Sequence, residues 1–198
     1  RVYALAFLLD ALIERGELAQ AERLISAPEL SGPLPDVFAF HLLRVARGRL
    51  RVAAGAPERG VAELLEAGRL MGEDYVGPGI CPWRARAATG LRALGDTEQA
   101  RALANQELEL ARRTESRWGE ILALHALAAI ERDRSPELLA DAARIAIDTG
   151  FELERARCLI ELGVAQRHAR RRETAIRSLR EGLDLARRCG ATTIVERA

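Results

Sequence analysis

Few kinds of side chain in this sequence could do chemistry. It has three histidines (His41, His125, His168), three cysteines (Cys81, Cys158, Cys189) and thirty basic residues, every one an arginine. Without lysine there can be no GxxxxGK(S/T) phosphate loop, and no HExxH, GxSxG or GxGxxG pattern is present. The histidines fall on separate segments and the cysteines show no CxxC spacing, so neither a zinc set nor a disulfide framework is indicated. None of Cys81, Cys158 and Cys189 can be matched with a histidine as nucleophile and base. The chain reads as a non-enzyme, with no cofactor or metal in this segment.

What remains is guanidinium chemistry. The helical period places Asp10, His41, Arg44, Arg51, Thr89, Arg92, His125, Arg132 and Arg167 on one shared face. Apart from Asp10 and Thr89, these residues are basic or titratable. Guanidinium forks pair well with carboxylate and phosphate. His41, Arg44, Arg51, Thr89, Arg92, His125, Arg132 and Arg167 are therefore the candidate binding residues, for a protein segment or a small anionic ligand in a groove. The competing and more economical reading pairs these arginines with glutamates on adjacent helices, at about 0.2–0.5 kcal/mol a pair.

Charge and composition narrow the partners further. Thirty basic residues against twenty-nine acidic ones leave a net charge of +1, too little for a general polyanion binder. The absence of lysine reads as codon bias in a GC-rich genome. The run Arg167–Arg172 could touch a phosphate backbone. No stacking aromatic or recognition-helix pattern accompanies it, so a solvated turn is expected and no direct nucleic-acid contact. The opening apolar run Val2–Ile13 contains Asp10 and is too short to span a bilayer, so no membrane partner is expected. Unpaired cysteines suit a cytoplasmic setting, and the missing initiator methionine suggests an excerpt of a longer chain.

The elements that must position these residues are helices. A hydrophobic content of 48% with only 4% aromatics demands a core of Ala, Leu, Ile and Val. Ala, Leu, Arg and Glu are strong helix formers. The clearest unit is Leu159–Ala191, with Leu159, Leu162 and Gly163 on one helix and Ala175, Leu179, Leu183 and Ala186 on the next. Leu162–Gly163 and Ala175 stand where a tetratricopeptide unit needs small residues for close backbone approach. Arg170–Arg172 form the turn between the two helices.

Copies of that unit run upstream. Helical pairs are expected over 1–27, 36–71, 83–113, 117–149 and 151–189, with 191–198 starting a sixth. Pro28, Pro33 and Pro35 should make a connector, and 72–82 (GEDYVGPGICP) the longest loop and the place for a bend. Asp96 with Gln99 resembles a capping box, and Ser135–Pro136 a cap with proline at the first helical position. The small residues Ala21, Gly60, Ala100, Ala140 and Ala175 recur at spacings of 39, 40, 40 and 35. The expected fold is all-α: a tetratricopeptide-like solenoid of about five elongated hairpins plus a partial sixth. It should curve with the first helix of each pair on the concave side.

Three segments carry a resemblance. They are RGRLRVAAGAPERGVAELLEAGRLMG (47–72), PWRARAATGLRALGDTEQARALANQELELAR (82–112) and ERARCLIELGVAQRHARRRETAIRSLREGLDLARRCGA (154–191). In order and spacing the chain from about residue 36 resembles the C-terminal half of large ATP-binding regulators of the LuxR family, the MalT-like group common in actinobacteria. Residues 1–35 match only as a generic helical pair. The resemblance implies a protein-interaction and signal-sensing region within a transcriptional regulator, where ligand or partner binding governs ATP-dependent self-association. The family's nucleotide-binding and helix-turn-helix modules have no counterpart here. A free-standing tetratricopeptide adaptor or scaffold unrelated to transcription is the alternative.

Overall fold

The computed structural model describes residues 1–72 and 77–196, and among them there are helices and turns but no strand. Five hairpins follow in order. The first two pair α1 (Val2–Glu14) with α2 (Leu18–Ile25), then, after the one-turn α3 (Pro28–Ser31), α4 (Phe38–Ala53) with α5 (Pro57–Met71). Next come α6 (Trp83–Ala93) with α7 (Thr97–Arg113), α8 (Arg117–Ile130) with α9 (Ser135–Thr149), and α10 (Glu152–His168) with α11 (Arg172–Arg188). A short α12 (Thr192–Glu196) closes the array. Residues 73–76 of the expected 72–82 loop, and 197–198 of the expected sixth unit, lie outside the described residues.

Small residues set the hairpins where the sequence places them. A Cβ on Gly163 would meet Leu179 Cγ at 2.6 Å and the Ala175 carbonyl oxygen at 3.1 Å, so α10 and α11 touch through backbone. Likewise a Cβ on Gly60 would meet the Gly48 carbonyl oxygen at 2.6 Å. The fourth residue of each second helix is Ala21, Gly60, Ala100, Leu138 and Ala175, and all five are buried. The expected Ala140 is exposed instead. Smallness is not what defines the slot in α9: register is, and Leu138 fills it, which evens the spacings to 39, 40, 38 and 37.

Four of the five hairpin turns share one construction. After α1, the Glu17 amide donates to the Leu12 carbonyl at 2.9 Å and the Gly16 amide to Ile13 at 3.1 Å, with Gly16 at φ 73°. This is the six-to-one Schellman closure with a left-handed residue just past the helix. It recurs at Gly55 and Gly95, and at the α10–α11 turn the left-handed residue is Arg170 (φ 58°). Asp96 caps α7 as expected, its carboxylate accepting the Gln99 amide at 3.0 Å. Ser135 does not cap α9. A 3-10 turn, Arg132–Arg134, runs straight into the helix and makes Ser135 its first residue.

The proline-rich connector is more ordered than its composition suggests. Pro28 starts α3, Leu34 is buried, and two arginines of α4 hold the connector down. Arg44 donates to the Leu34 carbonyl at 3.0 Å and Arg47 to the Gly32 carbonyl at 3.0 Å.

A single contiguous core of aliphatic residues runs through the array, with Leu9, Leu43, Leu50, Leu64, Ile121, Leu139 and Leu185 among its least accessible members. The curvature is tight enough for the ends to meet. Arg157 on α10 donates to Glu14 on α1 at 2.7 Å, and Thr193 on α12 donates to the Glu14 carbonyl at 2.9 Å. Thr192 donates to the Arg15 carbonyl. The expected open groove is therefore a closed ring: α1, α4, α6, α8 and α10 line its inside, and α12 fills the seam between α10 and α1.

Candidate functional site: the cavity inside the ring

All five inner helices send a polar side chain into the lumen, and the result is a buried ion network. Arg49 of α4 pairs with Asp10 at 2.7 Å and with Glu14, both on α1. Arg157 bridges Glu14 at 2.7 Å and Glu154 at 3.0 Å. Trp118 of α8 donates its indole N–H to Glu154 at 3.4 Å. Arg86 of α6 lies beside this group with no ion pair or hydrogen bond of its side chain among the described residues.

Electrostatics follow from burial and proximity. Burial pushes the Glu154 carboxyl up, but the Arg157 and Arg86 charges outweigh it and hold the group at about 2. Burial likewise opposes ionisation of Glu14, and Arg157 with Arg49 still keeps it below the ordinary range. For Arg86 burial wins, with the Arg49 charge adding to it, and the guanidinium falls to about 10. Glu14 and Glu154 are thus held ionised at neutral pH, and the three carboxylates of the network match its three guanidinium groups in number.

The network divides the lumen. On one side is a pit of about 170 Å³ between Phe7, Asp10, Ile80 and Trp118. On the other is a cup of about 1020 Å³ with small apolar walls, including Val52, Ala93, Ala128, Ile160 and Val164. Arg86 borders both.

Of the eight candidate binding residues, four line the cup: Thr89, Arg92, His125 and Arg132. Neither Arg92 nor Arg132 makes an ion pair or side-chain hydrogen bond among the described residues. His125 Nε2 lies 3.0 Å from Glu161 Oε2 but outside hydrogen-bonding geometry. The other four face elsewhere. His41 is buried against Asp36 at 2.8 Å, Arg44 clamps the connector, Arg51 pairs with Glu63, and Arg167 is exposed off the lining. The pairing reading therefore holds for Arg51. The physical reason is rotation about the helix axis. On α4 the inward stripe is Leu42, Val45, Arg49 and Val52, so residues beside it turn toward α5 and the connector. On α10 it is His168, not Arg167, that reaches the cup.

Sequence reasoning missed Glu14, Arg49, Arg86, Glu154 and Arg157. Glu14 and Arg157 are 143 residues apart, and no local spacing announces a pair made by ring closure. Asp10 and Glu14, four apart on one helix, were the available signal, since two acids on one buried face need cations opposite. Outside the lumen, Glu107 on α7 is fully buried, with Arg84 3.7 Å away and no hydrogen bond to either oxygen. Burial pushes its carboxyl up to about 7 against the pull of Arg84.

No protein-family model matches the chain, and no curated protein does. Among solved structures, the crystal structure of a Podosopora anserina protein, assigned as a kinesin light chain with nearly identical TPR-like repeats, is similar over most of both chains. The match has a TM-score of 0.58 at 18% identity and covers 98% of this chain and 96% of that one. At that identity the likeness is one of fold. The chain has a tetratricopeptide-like helical-repeat fold, an architecture suited to protein interaction. Among the described residues no helix is long and apolar enough to cross a membrane, and no group of three or more His, Cys, Asp or Glu could hold a metal ion.

Proposed function

We propose that this chain is a recognition and signal-sensing region whose binding surface is the inside of the ring, and that it serves a LuxR-family, MalT-like transcriptional regulator. The observation that carries the recognition role is the pair Arg92 and Arg132, two unpartnered guanidinium groups on the wall of a large cavity. Structural arginines in this chain, such as Arg47 and Arg49, have carboxylates. Arg92 and Arg132 are exposed on the cavity wall and carry none, which leaves them free to take one from a ligand or partner.

The regulator context rests on the three resembling segments. The fold is compatible with it and equally compatible with a free-standing tetratricopeptide adaptor. The reading frame on either side decides between them: a Walker loop upstream and a helix-turn-helix downstream are expected, and a frame coding for neither leaves the adaptor. In both readings the role is binding rather than catalysis, the setting is cytoplasmic, and no contact with DNA is made by this segment itself. Self-association follows in the regulator reading, and sedimentation of the longer protein with and without effector measures it.

A further inference from the structure

Two guanidinium groups on the wall of the cup, those of Arg92 and Arg132, hold no carboxylate among the described residues. Five arginines line the cup against three acids, Glu14, Asp133 and Glu161. Arg49 and Arg157 are neutralised by the network at its floor. Arg86 lies within the field of Asp10 and Glu154 of the same network, which leaves Arg92 and Arg132. Both are exposed, so their forks are free to take a carboxylate or phosphate in bidentate geometry. Most of the remaining wall is short aliphatic side chains, which favour an apolar body rather than a second charge.

Shape excludes a threaded polypeptide. The ion network spans the lumen from all five inner helices, so the cup has a floor, and α12 closes the side through which an open solenoid would admit a helix. A helix with its side chains is roughly 10–12 Å across. The cup volume of about 1020 Å³ matches the roughly 300–1,000 Å³ usual for small-molecule sites.

We infer that the cup binds a small amphipathic anion, its carboxylate or phosphate head held by Arg92 and Arg132 and its apolar body lying against Val52, Ala128 and Val164. This rests on the reading of the ring interior as the recognition surface and names its occupant.

Calorimetry with four probes of equal chain length tests it: decanoate, decyl phosphate, decanol and decyltrimethylammonium. One decanoate or decyl phosphate per chain is expected, and whichever binds more tightly identifies the head group. Decanol should bind at least tenfold more weakly and the ammonium not at all. The double variant Arg92→Ala/Arg132→Ala should weaken the anions at least tenfold and leave decanol unchanged. Ala129→Trp, which fills the cup from a half-buried position, should abolish all binding while far-ultraviolet dichroism and melting temperature show the variant folded. Equal affinity for decanoate and decanol, or anion binding indifferent to either variant, overturns the inference. If an acidic octapeptide binds, loses affinity in the double variant, and none of the four probes does, the small-ligand inference fails while the ring interior survives as the recognition surface.

Discussion

Glu107 and Glu154 are both buried carboxyl groups, and they titrate in opposite directions because one has cations at hydrogen-bonding distance and the other does not. Folded, Glu107 keeps its proton up to about pH 7, against an ordinary value of 4.5 when exposed. Between those values the folded chain binds more protons than the unfolded one, so this group's contribution is fully present below 4.5 and is lost as pH rises through 7. Glu107→Gln cannot ionise. Denaturant melts should find the variant more stable than the parent by roughly 2–3 kcal/mol at pH 8, with the two converging near pH 4. A gap that does not change with pH would mean that Glu107 is not titrating. Glu154 has the reverse sign: its stabilisation is present above 4.5 and fades as pH falls through about 2. Glu154→Gln should therefore cost about 3 kcal/mol at pH 7, since Arg157 loses half of its compensation in a buried site. Neither effect was legible in the sequence, where Glu107 and Glu154 look like any surface glutamate of a helix.

At the scale of the hairpin, much more could be read in advance. The helix pairs, the glycine-ended turns and the crossing residues Gly163 and Ala175 are local features, set by spacing within a few turns of chain. Failures came where register had to be inferred from residue type. Ala140 was small but out of phase, and Arg44 and Arg51 were polar but a fraction of a turn off the inward stripe. The left-handed turn position gives a direct test of the shared construction. Arg170 occupies with a Cβ the conformation that Gly16, Gly55 and Gly95 take without one. Arg170→Gly should raise stability by about 0.5–1 kcal/mol, the relief of left-handed strain less the added freedom of the unfolded chain. Arg170→Val should lower it by about 1 kcal/mol, because branching at Cβ resists positive φ. Thermal melts of the two variants must move in opposite directions. Gly60→Ala tests the crossing instead: the new methyl would lie 2.5 Å from Val52 Cγ2, and a loss of about 1–3 kcal/mol is expected from the forced separation of α4 and α5.

At the scale of the whole molecule the question is what turns a curved array into a ring. Curvature alone follows from stacking identical hairpins with a small rotation each, but closure needs contacts between units that are not neighbours in sequence. Here they are few and specific: Arg157 to Glu14, the hydroxyl of Thr193 to the carbonyl of Glu14 at the end of α1, that of Thr192 to the Arg15 carbonyl just past it, and Ile194 buried in the seam. Those hydroxyls do for α1 what a C-terminal cap does, satisfying carbonyls that the helix leaves open. The seam residues Glu14, Arg157, Thr193 and Ile194 also line the cup, so occupancy of the cup and closure of the ring share contacts and must be thermodynamically linked. Ile194→Asp places a charge in the seam and should release α12 from α1 without touching the hairpins between. Hydrogen exchange should then quicken at the end of α1, in α12 and on the facing turns of α10, while α6 through α9 keep their protection, and the radius of gyration in solution scattering should grow. Faster exchange spread evenly along the chain would show instead that the seam is an inseparable part of one cooperative core. If the seam does open separately, decanoate at saturating concentration should slow its exchange in the parent protein, because a ligand resting on both sides of the joint favours the closed ring by its preference for that state.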